Sequence, residues 1–503
     1  MFFLITLIVA WCSIIYEILL STLSSYLIWN SILQFSLTIG FFLFWLWIGS
    51  NLSKYIKKSL DTFINIEVLL WILGWLSVII IKLAYINLAD YDIIFNLFYL
   101  LFVITIWLLT WFEIPLISDI ISKITQNKDI KNIIWDVFSY DYIWALIATL
   151  AFPFLFLPYF WLTYSAIIVG LLNLIAALLF LVHKPIKEIF IKEKKYTKSL
   201  IKIFIWIVIL FWWFIFSASK FENIWDHFFY REPILLKTHS PYQQIVITKR
   251  WNDIRLLLDW HLQFLSLDEH RYHNSLYSQA KNYLTTLNWP KNILILGWGD
   301  GLLARNIIKS LSGQNFKITL VDLDPKITNL AKTFPILVKL NKNSLNNPNL
   351  KVINQDAFKF LLKTNTKYNV IIADFPDPRN IELAKLYSKE FYLLVKKHLK
   401  PWWIFTTQAG NAFFTKESFW CIYKTIKSIW ENPFAYHSYI PSFWDWWFIG
   451  FKKWGKISQL TWTYILTNFD KDYKVNLNKI KENTLDNEII VNYYIKWRKR
   501  FTE

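Results

Sequence analysis

Glycine is what this chain most lacks. Ordinary usage of about 7% would put roughly 35 glycines in a chain of this length, and there are 11 among 503 residues. Cysteine is nearly absent too. Cys12 and Cys421 offer neither a disulfide framework nor the paired spacing of a metal-thiolate site, so structural zinc and thiol redox chemistry are excluded and no metal is expected. No basic n-region or small-residue cleavage pattern interrupts "MFFLITLIVAW", so the first apolar segment is expected to be retained. The formal charge of +18 raises the question of nucleic acid, but no basic stripe with interleaved aromatics and no RNA-binding signature accompanies it. Much of that charge stands in loops beside apolar runs, where lysines face anionic lipid headgroups. A lipid bilayer is therefore an expected partner and nucleic acid is not.

What is present in excess is apolar length. The hydrophobic share is 55%, and up to about residue 218 it is gathered into runs centred near residues 15, 42, 76, 103, 151, 172 and 208. Each of these seven runs reaches the ~20 residues that cross a hydrocarbon core. Backbone groups in hydrocarbon must be satisfied internally, so 1–218 is expected to be an N-terminal α-helical transmembrane bundle of a multi-pass cell-membrane protein. From Lys220 onward charge density rises and Asp/Asn/Pro turn clusters appear, as in a globular domain. That part is expected to comprise a small β-rich subdomain over 219–285, an α/β doubly wound domain over 286–452 and a C-terminal tail over 453–503. Lysines gather in "SKYIKKS", around Lys123, Lys128 and Lys131, and in "HKPIKEIFIKEKKYTK", which puts these alternate loops on the cytoplasmic side. Seven spans would then carry the C-terminal part outside, and one segment fewer would reverse the parity.

Tryptophan mirrors the shortage of glycine. The 29 tryptophans exceed ordinary usage by about the number of glycines missing, and many stand in glycine-like places. Trp298 lies inside the turn "GWGDG", Trp402 and Trp403 follow a proline in "KPWWIF", Trp260 sits in "LLDWHL", and Trp45 and Trp47 in "FLFWLWIGS". Glycine is used where φ must be positive or backbones approach closely. The pattern is expected if the source cell decodes a stop codon as glycine and the residue is written as tryptophan. Interfacial aromatic belts are the alternative for the tryptophans of the apolar runs, but not for Trp298, Trp402 or Trp403.

With glycine at 298 the turn reads Gly297-Gly-Gly299-Asp300-Gly301. It follows the strand-like run Ile293 to Leu296 and opens a helix, so its N–H groups can approach a ligand. Alone it is weak. A second strand-like run, "FKITLVDLDP", ends in Asp322 and Asp324 about two dozen residues on, where an acidic side chain can take ribose hydroxyls. "NLKVINQDAFKFL" then ends in Asp356, and "YNVIIADFPDP" in Asp374 and Asp377. Four strands ending in acidic residues describe a ligand crevice at the carboxyl ends of a doubly wound sheet. Each such aspartate alone can equally be a turn former or helix cap.

These motifs together resemble the polyamine aminopropyltransferases, the spermidine synthase family, and specifically its membrane-attached, multi-span branch. The resemblance covers roughly residues 230–452, from "SPYQQIVITKR" through "IRLLLDWHLQFLSLDEHRYHNSL", "GWGDG" and "VDLDP" to "QDAF", "DFPDP", "LYSKEFY" and "PSFWDWWFIGF", with "YEILLSTLSSYLIWNSILQFSLTIG" similar in the apolar half. It implies a Rossmann-like, methyltransferase-type catalytic domain preceded by a small β subdomain. It also implies transfer of the aminopropyl group of decarboxylated S-adenosylmethionine to a diamine such as putrescine. The donor is a co-substrate, and no cofactor is implied. The attacking amine must be neutral although alkylammonium groups have a pKa of about 10.4, so a carboxylate base is required. By resemblance this is Asp374, with Asp377 beside it. Asp300 and His273 are implied at the amine and aminopropyl end, Gln243 and Asp322 at the nucleoside, Asp356 with Ala357 near the adenine, and Tyr272 as a further substrate-binding residue.

The chain departs from the family at Ile381, where proline is usual, in the residues of "DFPDP", and at Phe443, where tyrosine is common. His273 can also be a packed helix histidine, Asp268 and Glu269 can bind the distal amine or cap a helix, and Glu17 can serve helix packing or a transport path. A methyltransferase on the same fold and a polyamine transporter with a substrate-binding soluble domain are the alternative functions, and a homo-oligomer is left open. The catalytic domain is expected in the cytoplasm, in conflict with a count of seven spans.

Overall fold

The computed structural model of the chain describes residues 2–28, 31–53, 55–56, 59–88, 91–124, 130–182, 208–209, 212, 220, 223–286, 290–452, 463–465 and 476–502. The chain divides into two compact units, Met1–Arg231 and Glu232–Glu503.

The first unit is helical throughout its long elements: α1 Phe2–Ile28, α2 Ser31–Ser53, α3 Ser59–Leu88, α4 Asp92–Ile124, α5 Ile130–Ala151 and, after a π-helical turn over Phe152–Phe156, α6 Leu157–Val182. Leucine, isoleucine and aromatic residues surround these helices on all sides, which is the pattern of segments that do not face water. Among the described residues five stretches are long and apolar enough to cross a membrane: Leu4–Ser25, Phe35–Ser53, Thr62–Leu88, Ile93–Ser122 and Val137–Ala177. The runs centred near 15, 42, 76 and 103 each fall in one of the first four stretches. The runs near 151 and 172 form one 41-residue stretch, about twice the length a span needs. The chain bends within it at Trp161, whose φ of 54° and ψ of −177° interrupt the helix. The seventh run, near 208, and the lysine-rich segment 183–198 lie outside the described residues, apart from isolated positions of the former. A few polar side chains are buried inside this unit. Ser13 Oγ of α1 donates to Glu113 Oε2 of α4 at 3.0 Å, and Glu17 and Glu67 are buried as well.

The second unit opens with a four-stranded antiparallel sheet, β1 Ile234–His239, β2 Gln244–Arg250, β3 Asp253–Leu258 and β4 His261–Leu265, in sequential order. Two-residue loops join β2 to β3 and β3 to β4. After the helix Glu269–Thr286 comes the main sheet: β5 Lys291–Leu296, β6 Phe316–Asp322, β7 Leu350–Asn354, β8 Tyr368–Ala373, β9 Leu399–Gln408, β10 Phe434–Ile440, β11 Trp444–Lys452 and β12 Thr463–Ile465. Its order is β12-β10-β11-β9-β8-β5-β6-β7. Strands β7, β6, β5, β8 and β9 are parallel, and β10 to β12 add an antiparallel edge.

Near-continuous apolar runs suit strands covered on both faces. Along β5, Ile293 and Ile295 pack with Leu276, Leu303, Val370 and Ile404, while Leu294 and Leu296 pack on the opposite face with Ile371 and Phe391. The period of two thus divides one strand between two cores. Strand order reverses between β6 and β8 across β5, the switch point beside which crevice ligands bind in open α/β sheets. The segment expected to be a tail carries the helix Ile489–Thr502, whose Ile490 is fully buried in the second of these cores.

Candidate active site

The strand ends supply the site. Leu296 of β5 pairs with Val321 of β6 and Ala373 of β8, and Asp322 with Asn354 of β7, so the acidic residues that follow these positions share one edge of the sheet. Between β5 and the helix Leu302–Ser310 the chain turns through Gly297, Trp298, Gly299, Asp300 and Gly301. Gly297 has φ of 87°, and a Cβ there would lie 2.0 Å from the Asp374 carbonyl oxygen, so no other residue fits.

The side of the crevice over β6 and β7 is a closed hydrogen-bond network. Asp322 accepts from the Gly299 N–H at 2.8 Å and from the Asp324 N–H at 2.8 Å, and burial pushes its carboxyl up to about 6. Asp324 caps the helix Pro325–Thr333 and takes both Ser240 Oγ at 2.7 Å and Gln243 Nε2 at 2.9 Å. The turn between β1 and β2 is thereby tied to the main sheet, and Gln243 is brought against Asp324. Asp356 caps the helix Ala357–Lys363 and accepts from Lys385 Nζ at 2.7 Å. Burial works to raise its pKa, but Lys385 and the Lys359 N–H outweigh it and hold the carboxyl below its usual value. Ala357 is buried as the first residue of that helix.

The side over β8 is different. Asp374 is buried, with Oδ1 accepting from the Tyr272 hydroxyl at 2.7 Å and Oδ2 without a partner among the described residues. Burial raises its pKa to about 8. Asp300 is buried too, accepting from the Leu302 N–H at 2.8 Å. Its pKa is raised well above the ordinary value, first by burial and then by the charges of Glu269 and Asp374. His273 is fully buried; Nδ1 meets Glu269 Oε2 at 2.7 Å, and Nε2 has no partner among the described residues. Both Glu269 carboxylate oxygens also accept from Arg305 Nη2, Oε1 at 2.8 Å and Oε2 at 3.0 Å. An ionised carboxylate only accepts, so it favours the proton on Nδ1 and leaves Nε2 as the nitrogen with the free lone pair. Burial lowers the imidazole's pKa, against the raising influence of Glu269. Asp377 accepts from the Tyr494 hydroxyl at 3.0 Å and Gln408 Nε2 at 3.4 Å; burial raises its pKa.

Asp300, Asp322, Asp356, Ala357, Asp374 and Asp377 follow or end strands at this edge, while Gln243 meets it through Asp324, Tyr272 through Asp374 and His273 through the Trp298 ring. Asp268 neither caps through its side chain nor faces the crevice: its carboxylate accepts from the Ser442 N–H at 2.8 Å and Oγ at 3.0 Å, anchoring the β10–β11 turn. Glu269 is likewise committed, to His273 and Arg305. Sequence reasoning missed Tyr494, Gln408 and Arg305. Tyr494 comes from the terminal helix, and only the tertiary fold joins it to Asp377. Phe443 packs against Tyr272 at 6.2 Å between ring centroids, and Ile381 begins the short helix Ile381–Ala384. Among the described residues no three His, Cys, Asp or Glu side chains are grouped so as to hold a metal ion.

A doubly wound sheet with a glycine turn and buried carboxylates at the switch point has the architecture of a nucleotide-binding α/β enzyme. Residues 269–461 match the family model described as the spermine/spermidine synthase domain. The polyamine aminopropyltransferase of Leptospira interrogans is 35% identical over 97% of this chain and 96% of its own length, and that of Oceanobacillus iheyensis is 37% identical over 88% and 84%. The chain belongs to the polyamine aminopropyltransferase family and is an enzyme of that family. Among solved structures, the spermidine synthase of Thermotoga maritima is similar with a TM-score of 0.39 at 21% identity, over 52% of this chain and 84% of that one.

Proposed function

We propose that the protein is a membrane-bound aminopropyltransferase that moves the aminopropyl group of decarboxylated S-adenosylmethionine to a diamine such as putrescine, giving spermidine and methylthioadenosine. The observation that carries this reading is Asp374, buried, held by Tyr272 through one oxygen and bare at the other. A carboxyl raised to about 8 is a base poised near the working pH. The amine nitrogen forms a bond to the carbon beside the sulfonium, the C–S bond breaks, and sulfur keeps its electron pair as a neutral thioether. The proton lost by the nitrogen goes to Asp374 Oδ2. His273 Nε2 and Asp300 hold the amine and aminopropyl groups with Asp377 and Tyr272, while Gln243 and Asp322 take the nucleoside and Asp356 with Ala357 flank the adenine. No cofactor enters these steps. A carboxylate at 300 disfavours ordinary S-adenosylmethionine, whose own carboxylate would meet it with like charge.

The five apolar stretches support residence in a bilayer, with the second unit on the cytoplasmic side, where its substrates are made. The test is incubation of the full chain, purified in detergent from its source cell, with decarboxylated S-adenosylmethionine and a panel of diamines. Methylthioadenosine release that depends on the diamine is expected. Methyl transfer from S-adenosylmethionine without aminopropyl transfer would contradict the reading.

A further inference from the structure

Nine non-glycine residues have positive φ among the described residues, and four of them are tryptophans: Trp161, Trp251, Trp260 and Trp298. Positive φ is uncommon outside glycine, where it favours Asn, Asp and His, and for a bulky residue it is an outlier. Each of the four stands where a different physical rule asks for glycine. We propose that positions 161, 251, 260 and 298 are glycine in the protein as the cell makes it, encoded by a stop codon that the cell decodes as glycine.

The two hairpins of the small sheet are the plainest case. Asp259 and Trp260 form the whole loop between the paired residues Leu258 and His261, with φ of 46° and 69°. Two consecutive positive φ values make a type I′ turn, whose preferred dipeptide is Asp-Gly. Trp251 is the first residue of the two-residue loop between Arg250 and Asp253, with φ of 57°. Positive φ at that first position alone is the type II′ pattern, with glycine there. The indole of Trp251 makes no use of its size, being 88% exposed. At Trp161, φ of 54° with ψ of −177° falls in a region essentially restricted to glycine.

Trp298 is the functional case. Its φ is 60°, between two glycines. The indole stacks on Tyr272 at 5.2 Å and meets His273 edge-on at 4.9 Å. Its Nε1 is buried without a partner among the described residues, as are His273 Nε2 and Asp374 Oδ2. A large ring thus covers Tyr272, which holds Asp374, and His273, and it leaves its own N–H and the His273 Nε2 unsatisfied among the described residues. Glycine at 298 removes the ring and leaves the turn's backbone conformation unstrained.

The experiment is mass spectrometry of the protein isolated from its source cell, read at the tryptic peptide Asn292–Arg305, with the gene sequenced across all four codons. Glycine at 298 and the stop codon UGA at each position are expected. Tryptophan in that peptide, or UGG at the four codons, overturns the proposal. A second arm compares the full chain expressed as written with the chain carrying Trp161→Gly, Trp251→Gly, Trp260→Gly and Trp298→Gly. The four-glycine chain should melt higher, and an equal or lower melting temperature would contradict glycine at the strained positions. It should also bind methylthioadenosine at least tenfold more tightly, a consequence that rests on the proposed function. If the native peptide carries glycine and methylthioadenosine still fails to bind, the residue identity stands and the aminopropyltransfer reading falls.

Discussion

The two halves of the crevice are built from the same parts and finished differently. Asp322 and Asp356 on one side, and Asp374 on the other, all follow or end parallel strands at the same sheet edge. Asp322 and Asp356 are fully engaged by backbone N–H groups and Lys385, whereas Asp374 keeps a bare oxygen in a dry setting. A carboxylate already hydrogen-bonded to the scaffold is a rigid place to bind a neutral nucleoside. A carboxyl kept from water and from partners carries a raised pKa and takes up a proton readily. On the proposed function, one half holds the donor and the other carries the chemistry.

The contrast can be broken most sharply at Asp374. In the full chain with glycine at 298, to which all activities here refer, Asp374→Asn should lower kcat by the ~10²–10⁴-fold that a general base supplies. The residual rate should rise with pH as free diamine loses its proton, measured by methylthioadenosine release. Gln243→Ala acts on the holding half. It removes a bond to the charged Asp324, worth about 1.5–3 kcal/mol, so KM for the donor should rise roughly tenfold or more with kcat little changed, as read from donor titrations.

Stability against pH separates Asp374 from Asp356 in a second way. Asp374 has a folded pKa of about 8 against an ordinary 3.8, so between those values the folded state holds a proton that the unfolded state has lost. Its contribution is complete below the ordinary value and is lost as pH rises through about 8. Thermal melts of the full chain should therefore fall between pH 5 and 8 by an amount that Asp374→Asn reduces. Asp356 has the opposite sign, because its pKa is lowered. The smallest effect is expected at its partner. Lys385→Met breaks a partly exposed pair worth less than about 1 kcal/mol, and a melting curve should shift by only a few degrees or less.

How much of this was legible in the sequence follows from distance along the chain. The glycine turn and the strand-end acids are local: each is fixed by a strand pattern and the residue that follows it. Gln243 and His273 could be named only through the family resemblance. Tyr494 carried no signal, since it meets Asp377 across 117 residues from a segment taken to be a tail. The commitment of Asp268 to Ser442, 174 residues away, was equally invisible. In the apolar half, composition showed the length of the runs but not that those near 151 and 172 join into one bent stretch. The shortage of glycine flagged Trp260 and Trp298 from their turns, yet passed over Trp161 and Trp251, whose backbone conformation is set by a helix break and a hairpin register.

The division of labour across the crevice is tested most directly by measuring kcat and donor KM side by side for Asp374→Asn and Asp322→Ala. Asp374→Asn should lose kcat and keep KM, and Asp322→Ala should raise KM through loss of a ribose contact while keeping most of kcat. If both substitutions changed the same parameter, or if Asp374→Asn turned over putrescine, spermidine and cadaverine undiminished, Asp374 would not be the base and the contrast between the two halves would have no chemical meaning.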